Sequence, residues 1–463
     1  MLAFCDPRRA LGRRDFLRVG SLALSGVSLG QLLQAQSAAG EAHRLLTGKS
    51  VIFLFLQGGP SQFETFDPKM SAPAGVRSAT GEIATTIPGV TFGSNFPKLA
   101  ELAKQLTIVR SFTTGDANHD IKPLVCRDTF GASLGALYAR GAGTTDPASG
   151  MPRSALLYPR AVDPTTGPEI VSFGNHGATG ALGAGYVPFM PGAGANLQQD
   201  MQLKLSTERL DDRRALLGQL DRFRRSLEAS GQLEGLDALR QQAFSTILRG
   251  VAGAFDLAKE DPSVVARYDT APLVRPDQIN RKWNNYHHYV DNGKSLGKLL
   301  LLARRLCEAG CGMVTVTTSF VWDMHADVNN ATMVEGMGYM APPLDHAVSM
   351  LVNDLRDRGL SDRVLLVCCG EMGRTPRINA LGGRDHWGNL APLLLYGAGM
   401  PRGAVLGQSS RDGGTPASEP ITNKHLIATV LQTLLDPAEL RVTRGMPNEL
   451  VTAATADPIP GVG

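Results

Sequence analysis

The stretch "VIFLFL", residues 51–56, is an unbroken apolar run that ends at the polar loop "QGGPSQFETFDPK", residues 57–69. A strand at the surface of a sheet alternates apolar and polar side chains, whereas a continuous run is typical of a strand buried on both faces. The run therefore predicts a central strand of a parallel sheet, followed by a loop of unusual composition.

Similar apolar runs recur along the chain, and helical patterns separate them. The runs are "TIVRSF" (107–112), "MVTVTT" (313–318), "RVLLVCC" (363–369) and "APLLLYGAG" (391–399). Helices are predicted at 95–106, 293–310, 344–360 and 422–435, the last with Thr422 as N-cap. Strands that alternate with helices predict an α/β fold, with a mostly parallel sheet flanked by helices on both faces.

One insertion and one terminal segment stand apart from this pattern. Residues about 207–258 predict a helical hairpin, because two apolar stripes at helical spacing flank Ser230-Gly231. No linker composition divides the chain after residue 48. We therefore expect one domain over residues 48–440, followed by a C-terminal tail at 441–463.

The first 39 residues predict a signal peptide rather than part of the fold. Arg13 and Arg14 belong to "RRDFL", which resembles the twin-arginine export motif, and an uncharged segment from Val19 to Gly40 follows. That segment is too rich in Gly, Ser and Gln for a membrane span. Twin-arginine export would deliver an already folded protein to the periplasm or the exterior; a disordered basic tail is the alternative interpretation.

The distribution of charge argues against nucleic acid as a partner. The whole chain has 46 Lys and Arg against 43 Asp and Glu, a formal net charge of +3. The first 39 residues account for this excess, because they contain five Arg and two Asp. The remaining chain is close to neutral, which offers no electrostatic basis for binding nucleic acid or an anionic membrane.

Loops after the predicted strands carry side chains that bind metals. In open α/β sheets, ligands bind beyond the carboxyl ends of the strands. The loop "WDMHAD" (322–327) follows the strand at 313–318, and in an extended segment Asp323 and His325 would face the same way. Carboxylate and imidazole together suit zinc, iron or manganese. A solvated loop would explain the same pattern.

Two further loops add candidates at the same edge of the sheet. "GEMGRTP" (370–376) places Glu371 at a strand end as a metal ligand, and its Arg374 could bind an anionic substrate group. "GRDHWGN" (383–389) supplies His386, whose ring Asp385 could orient. The structural alternatives are a Glu–Arg ion pair that braces the loop and a histidine satisfied within a turn.

The segment "DANHDIKPL" (116–124) lies just past another predicted strand and contains Asn118 and His119. His119 suits a general acid or base, and a helix start at this point would favour an anion. The alternative makes Asn118 or Asp120 a helix cap, which leaves His119 unexplained. Ser61 lacks the G-x-S-x-G elbow that a serine nucleophile would need.

Four of these stretches, in this order and behind a twin-arginine leader, resemble a bacterial domain-of-unknown-function family, number fifteen-oh-one. They are "FLFLQGGPSQFETFDPK", "VRSF…NHD", "TSFVWDMHAD" and "GEMGRTPRINALGGRDHWGN". The resemblance covers nearly the whole chain after the leader. This family is grouped with the alkaline phosphatase and sulfatase superfamily, which implies a sulfatase-like fold, but its own activity is not established.

The resemblance implies the ligands of one metal but not those of a second. The residues that match one ligand set are Asp323, His325 and His386, with Glu371 completing it. The superfamily's Asp after the first strand is replaced by Gln57, and its later Asp-His pair becomes Glu371-Met372. No Ser, Thr or Cys stands in "NHD", where the superfamily keeps its nucleophile.

These observations lead to two hypotheses about function. The first is an exported hydrolase of sulfate or phosphate esters, small-molecule or polysaccharide, that depends on one divalent ion such as zinc, calcium or manganese. In it Asn118 and His119 belong to the catalytic group, His119 as acid or base, and Arg374 binds the anionic group. The second is a non-catalytic binding or scaffold protein that keeps the sulfatase-like fold with a degenerate metal site.

Overall fold

The structure, a computed structural model, describes residues 44–192 and 251–462. The predicted signal peptide at 1–39 lies outside the described residues. The hairpin predicted at 207–258 also lies outside them, apart from residues 251–258. None of the helices in the described ranges has the length and apolar composition needed to span a bilayer.

The described residues form thirteen β-strands, seven of which make one sheet in the order β12-β4-β11-β8-β1-β7-β6. In chain order the strands are β1 Ser50–Phe55, β2 Glu82–Ala84, β3 Thr91–Gly93, β4 Thr107–Val109, β5 Phe112–Thr113, β6 Ser154–Leu157, β7 Met313–Thr317, β8 Val364–Cys369, β9 Gly373–Arg374, β10 His386–Trp387, β11 Leu393–Tyr396, β12 Ala404–Leu406 and β13 Ile421–Thr422.

The predicted central strand, β1, lies between β8 and β7 and runs parallel to both. Among the seven strands of this sheet, β11 runs antiparallel to its neighbours β4 and β8. Phe55 at the end of β1 pairs with Thr317 of β7 on one side and Cys369 of β8 on the other. The loops after these three strands therefore leave the sheet at the same edge and at the same level.

Helices cover both faces of this sheet, which confirms the predicted mostly parallel α/β architecture. Ile52 and Leu54 of β1 belong to an apolar cluster with α1, α5 and α6, whereas Val51 and Phe53 belong to a second cluster with α2, α7 and α9. The helices of the described ranges are α1 Pro97–Leu102, α2 Leu134–Ala142, α3 Ala252–Phe255, α4 Pro262–Tyr268, α5 Tyr286–Glu308, α6 Met333–Asp357, α7 Asn423–Leu434, α8 Pro437–Val442 and α9 Asn448–Ala454.

Helix α6 begins eleven residues before the segment that the apolar pattern predicted. Pro342 and Pro343 lie inside this helix, and such prolines ordinarily indicate a helix end in a sequence. The helix nevertheless begins earlier, because the Thr332 hydroxyl caps it by accepting a hydrogen bond from the Glu335 amide at 3.2 Å. Asp345, in the turn after the prolines, accepts the amides of the first turn of α1.

The residues after 440 pack on the same core as those before it. Leu450 in α9 and Ile459 are fully buried in the cluster that contains α2 and α7. The last described segment is thus part of the folded core.

Thr422 is the N-cap of α7, as predicted, and its backbone amide donates to Nδ1 of His425 at 3.1 Å.

A buried ionic cluster joins α5 to α6 and to the segment before α4. The Arg304 side chain is 1% exposed and lies 2.8 Å from Glu260, 2.5 Å from Glu308 and 3.0 Å from Asp354. Burial by itself would raise the pKa of the Glu260 carboxyl. Hydrogen bonds from Arg305 and the charge of Arg304 outweigh that effect and lower its pKa to about 2.

We predict that Glu260→Gln removes stability in a pH-dependent way. Because the pKa of Glu260 is about 2 when folded and its ordinary value is 4.5, its stabilisation is present above the unfolded pKa and is lost as the pH falls towards the folded one. Urea unfolding should show a variant less stable by about 2–3 kcal/mol at about pH 6, with a smaller difference near pH 3.

The matched control is Glu419→Gln, because Glu419 is exposed. Its free energy of unfolding should follow that of the wild type at each pH, within about 0.5 kcal/mol. A Glu260→Gln deficit that stays constant with pH would contradict the assignment of the ionised carboxylate to this cluster.

Candidate metal centre

Several loops meet at the carboxyl edge of β1, β7 and β8 and bring five candidate side chains together. The short β9–β10 pair is antiparallel, which turns the chain back over the sheet edge. The side chains are His119 from the loop after β5, Asp323 and His325 from the loop after β7, Glu371 directly after β8, and His386 in β10.

Three of these side chains point their ligand atoms at one another. Nε2 of His386 lies 3.0 Å from Oδ1 of Asp323 and 2.9 Å from Nε2 of His119. Nε2 of His119 lies 3.4 Å from the same Oδ1. All three atoms lie within 4.8 Å of one another, which is the spacing expected of donors that share one cation.

The other two candidates flank this cluster. Oε1 of Glu371 lies 2.9 Å from Nδ1 of His119, and the same carboxylate accepts the Gly58 amide. Nε2 of His325 lies 2.9 Å from Oδ2 of Asp323, and its ring centroid is 5.3 Å from that of His386. Glu371 and His325, predicted as ligands, therefore each contact a member of the cluster, whereas His119, predicted as acid or base, belongs to it.

The electrostatics of the cluster favour positive charge at its centre. Burial disfavours the charged imidazole of His119, but hydrogen bonds and charges from Asp323 and Glu371 outweigh this and raise its pKa. Burial likewise disfavours the charged carboxylate of Asp323, yet the Arg374 charge and three histidines hold its pKa far below the ordinary range. An ionised carboxylate facing imidazole nitrogens is the environment in which a cation binds.

Arg374 does not occupy a position from which it could bind a substrate anion. Its side chain is fully buried, and its Nη2 donates to Oδ1 of Asp323 at 2.6 Å and to the Gly58 carbonyl. Its Nε donates to the Gly59 carbonyl at 2.8 Å. The prediction that Arg374 binds a substrate anion is therefore wrong. Its guanidinium donates to groups inside the protein and connects the loop after β1 to the loop after β7. The alternative prediction, an ion pair that braces the loop, pairs Arg374 with Glu371, whereas the structure pairs it with Asp323.

The loop after β1 approaches Asp323 closely because it contains Gly58. Its φ is +114°, and a Cβ atom on it would lie 2.5 Å from the backbone nitrogen of Asp323. Any side chain would therefore separate the two loops. Ser61, three residues on, is buried and donates its hydroxyl to Glu64, so it is a structural residue rather than an exposed nucleophile.

A second buried ion pair holds the loop that carries His386. Arg384 and Glu64 are both fully buried, with Nη2 and Oε1 3.1 Å apart. The Arg384 guanidinium lies over the Phe63 ring, 4.2 Å from its centroid. This pair joins the "GRDHWGN" loop to the loop after β1, and it fixes the backbone two residues before His386.

The loop that carries His119 is held by Lys122. The Lys122 side chain is 3% exposed and its ammonium lies 2.7 Å from carboxylate oxygens of both Asp116 and Asp120. It also donates to the Asn118 carbonyl at 3.0 Å. The side chain of Asn118, predicted in the catalytic group, is exposed. Its backbone carbonyl is the group that accepts the hydrogen bond from Lys122.

An aromatic wall borders the cluster on the side of His119. The Phe173 and Phe320 rings stack with centroids 4.4 Å apart and an interplanar angle of 21°. Each ring also packs against His119, at centroid distances of 5.2 Å and 4.8 Å. The wall restrains the imidazole and excludes water from one side of it.

Fold and site together define an α/β protein with a candidate cation centre at the carboxyl edge of its sheet. Within that class, the chain belongs to the family described as protein of unknown function, DUF1501, whose profile matches residues 48–460. This confirms the family resemblance of the sequence motifs. A search among curated proteins returns no match.

The chain has distant similarity to several solved structures. The PsFucS1 sulfatase from Pseudoalteromonas sp. is 12% identical with a TM-score of 0.32, over 82% of this chain and 72% of that chain. Phosphonate monoester hydrolase SpPMH from Silicibacter pomeroyi is 12% identical with a TM-score of 0.30, over 83% and 73%. Alkaline phosphatase from the Antarctic bacterium TAB5 is 10% identical with a TM-score of 0.24, over 78% and 95%.

We predict that Arg374→Met destabilises the protein by about 3–5 kcal/mol, because it removes the compensating charge from the buried Asp323 carboxylate and leaves the Gly58 and Gly59 carbonyls without this donor. Denaturant unfolding of the purified variant measures this loss. Arg377→Met, in the same loop but exposed, is the control and should change the free energy of unfolding by less than about 0.5 kcal/mol. Equal stability of the two variants would contradict the proposed bracing by Arg374.

Proposed function

We propose that this protein is a hydrolase of sulfate or phosphate esters that depends on one divalent cation. The observation that carries the proposal is the convergence of three donor atoms, Nε2 of His119, Nε2 of His386 and Oδ1 of Asp323, within 4.8 Å of one another. They come from three loops that are distant in sequence, so the convergence is a product of the fold.

The donor set fits some cations better than others. Two imidazole nitrogens and one carboxylate oxygen are ligands that zinc and manganese accept. Calcium takes six to eight oxygen ligands, which this set does not provide. Among the ions named from the sequence, zinc and manganese are therefore the better candidates. A divalent ion held here supplies positive charge that stabilises the anionic oxygens of an ester and activates water.

The remaining residues of the site divide into orienting and proton-carrying roles. Glu371 lies 2.9 Å from Nδ1 of His119, the contact that fixes a ligating imidazole and its tautomer. His119 and His386 belong to the donor set, whereas His325 lies beside it with a side chain that is 24% exposed. His325 is thus the imidazole that can carry a proton between substrate and solvent.

The ester class rests on the sequence resemblance to the alkaline phosphatase and sulfatase superfamily, and the site is compatible with it. The Phe173 side chain is partly exposed beside the cluster, so an apolar leaving group could pack on its ring. Export is part of the proposal as well, since Arg13-Arg14 begin a twin-arginine motif. That route would allow the cation to be loaded before export.

One feature favours the second candidate, a non-catalytic binding protein with the same fold. Gln57 and Met372, both buried, stand where the sequence resemblance expects ligands of a second metal. The "NHD" segment, with His119 at its centre, supplies no hydroxyl or thiol nucleophile. A protein of this kind would keep the cation site without ester turnover.

We predict that full-length protein folded in the cytoplasm binds about one equivalent of Zn²⁺ or Mn²⁺ and hydrolyses a chromogenic aryl sulfate or phosphate. His386→Ala should weaken cation binding at least about tenfold and abolish turnover, because it removes a ligand. Titration calorimetry and release of the chromophore measure the two effects.

The control is His287→Ala, since His287 is exposed and lies on α5, outside the cluster. It should behave as the wild type in both assays. Binding of one cation without turnover of either ester would support the non-catalytic candidate. Less than about a tenth of an equivalent of bound cation would overturn the metal centre itself.

A further inference from the structure

Two pairs of asparagines join the start of α5 to the loop that carries Asp323. Nδ2 of Asn284 donates to Oδ1 of Asn329 at 2.7 Å, and Nδ2 of Asn285 donates to Oδ1 of Asn330 at 2.6 Å. Backbone bonds run alongside, including one of 3.0 Å from the Asn285 amide to the Asn329 carbonyl. The segments "WNNY" and "VNNA" are thus joined by both backbone and side-chain hydrogen bonds.

Asn330 extends this pairing into the cation cluster. It is 3% exposed, and its Nδ2 donates to Oδ2 of Asp323 at 3.1 Å. The same nitrogen lies 3.5 Å from Nε2 of His325. Its backbone is fixed by Asp327, whose Oδ1 accepts the Asn330 amide at 2.7 Å. The side chain is therefore held at both ends.

The direction of the Asn330 amide follows from its neighbours. Asn285 presents a donor, so the oxygen of the Asn330 amide faces Asn285 and the nitrogen faces Asp323. The two carboxylate oxygens then have different partners. Oδ2 accepts from Asn330 and lies against His325, while Oδ1 accepts from Arg374 and faces His119 and His386. A carboxylate fixed in this way cannot rotate out of the cluster.

We propose that Asn330 is a positioning residue of the cation centre and that Asn285 sets the direction of its amide. This rests on the proposed function, because it assigns Asp323 to a cation. Neither asparagine touches the cation or the substrate. Their effect is to hold Oδ1 of Asp323 at the point where the two imidazole nitrogens converge.

The test compares the affinity of full-length variants for Mn²⁺ by titration calorimetry. Asn330→Ala removes the donor to Asp323 and should weaken binding about 10–100-fold. Asn285→Asp replaces a donor by an acceptor, which turns the Asn330 amide so that its oxygen faces Asp323, and should weaken binding about tenfold or more. Asn285→Ser presents no acceptor to the Asn330 oxygen, because its hydroxyl is one atom shorter, so the Asn330 nitrogen keeps facing Asp323 and binding should stay within about threefold of the wild type.

Folding and binding are separable in this set of variants. Asn285 stands at the N-cap position of α5 but makes no side-chain capping hydrogen bond, so Asp or Ser in its place removes no helix cap. The melting temperature of both Asn285 variants without metal should therefore equal that of the wild type. Asn280→Ala is the control, since Asn280 is exposed and its side chain contacts Glu335 rather than the Asp323 loop.

The outcomes separate this inference from the function on which it rests. Equal Mn²⁺ affinity of the wild type, Asn330→Ala and Asn285→Asp overturns the positioning role while the metal centre stands. Equal loss in Asn285→Asp and Asn285→Ser overturns the role of amide direction. A wild type that binds no Mn²⁺ and no Zn²⁺ overturns both the centre and its positioning residues.

Discussion

The buried guanidinium of Arg374 is the interaction on which the geometry of the site depends. It donates to carbonyls of Gly58 and Gly59 in the loop after β1, to the Trp322 carbonyl at 3.2 Å and to the Asp323 carboxylate. One side chain therefore fixes two loops at the sheet edge from the start of a third. A fully buried cation is tolerated because it pairs with the ionised Asp323 carboxylate and because its other N–H groups donate to buried carbonyl oxygens.

The fold was accessible from the sequence because burial on both faces leaves a simple signature. The runs at 51–56, 313–318 and 363–369 are strands β1, β7 and β8, and they lie side by side. The bounds of the helices are harder to predict from the sequence, because α6 continues through Pro342 and Pro343, which ordinarily indicate a helix end. The pairing of β11 antiparallel to β4 and β8 left no local signal either, because strand direction is set by tertiary contacts rather than by composition.

The candidate site was predictable in its residue types and its location, but not in its division of roles. The sequence indicates His119 and Asp323 because each follows a predicted strand, and His386 because its loop precedes the strand at 391–399 and can close over the same edge. Sequence order cannot show that Glu371 contacts His119 and that Asp323 lies between His325 and His386. The residues that were missed are Glu64, Lys122, Arg384 and Asn330. Glu64, Lys122 and Arg384 lie inside the candidate loops and Asn330 lies three residues after one of them; each is a buried polar side chain, and the sequence does not show that burial.

The same geometry explains why one cation is a better proposal than two. Glu371 stands close to where a second set of ligands was expected from the sequence, but both of its oxygens accept the Gly58 amide, and Oε1 also lies against His119. Gln57 is 2% exposed, and its amide nitrogen has no partner among the described residues. A carboxylate that orients a ligating imidazole strengthens binding at the first cation site. The same carboxylate is then not available as a ligand for a second cation. This arrangement supports the proposal of a single centre, beside which His325 contacts Oδ2 of Asp323.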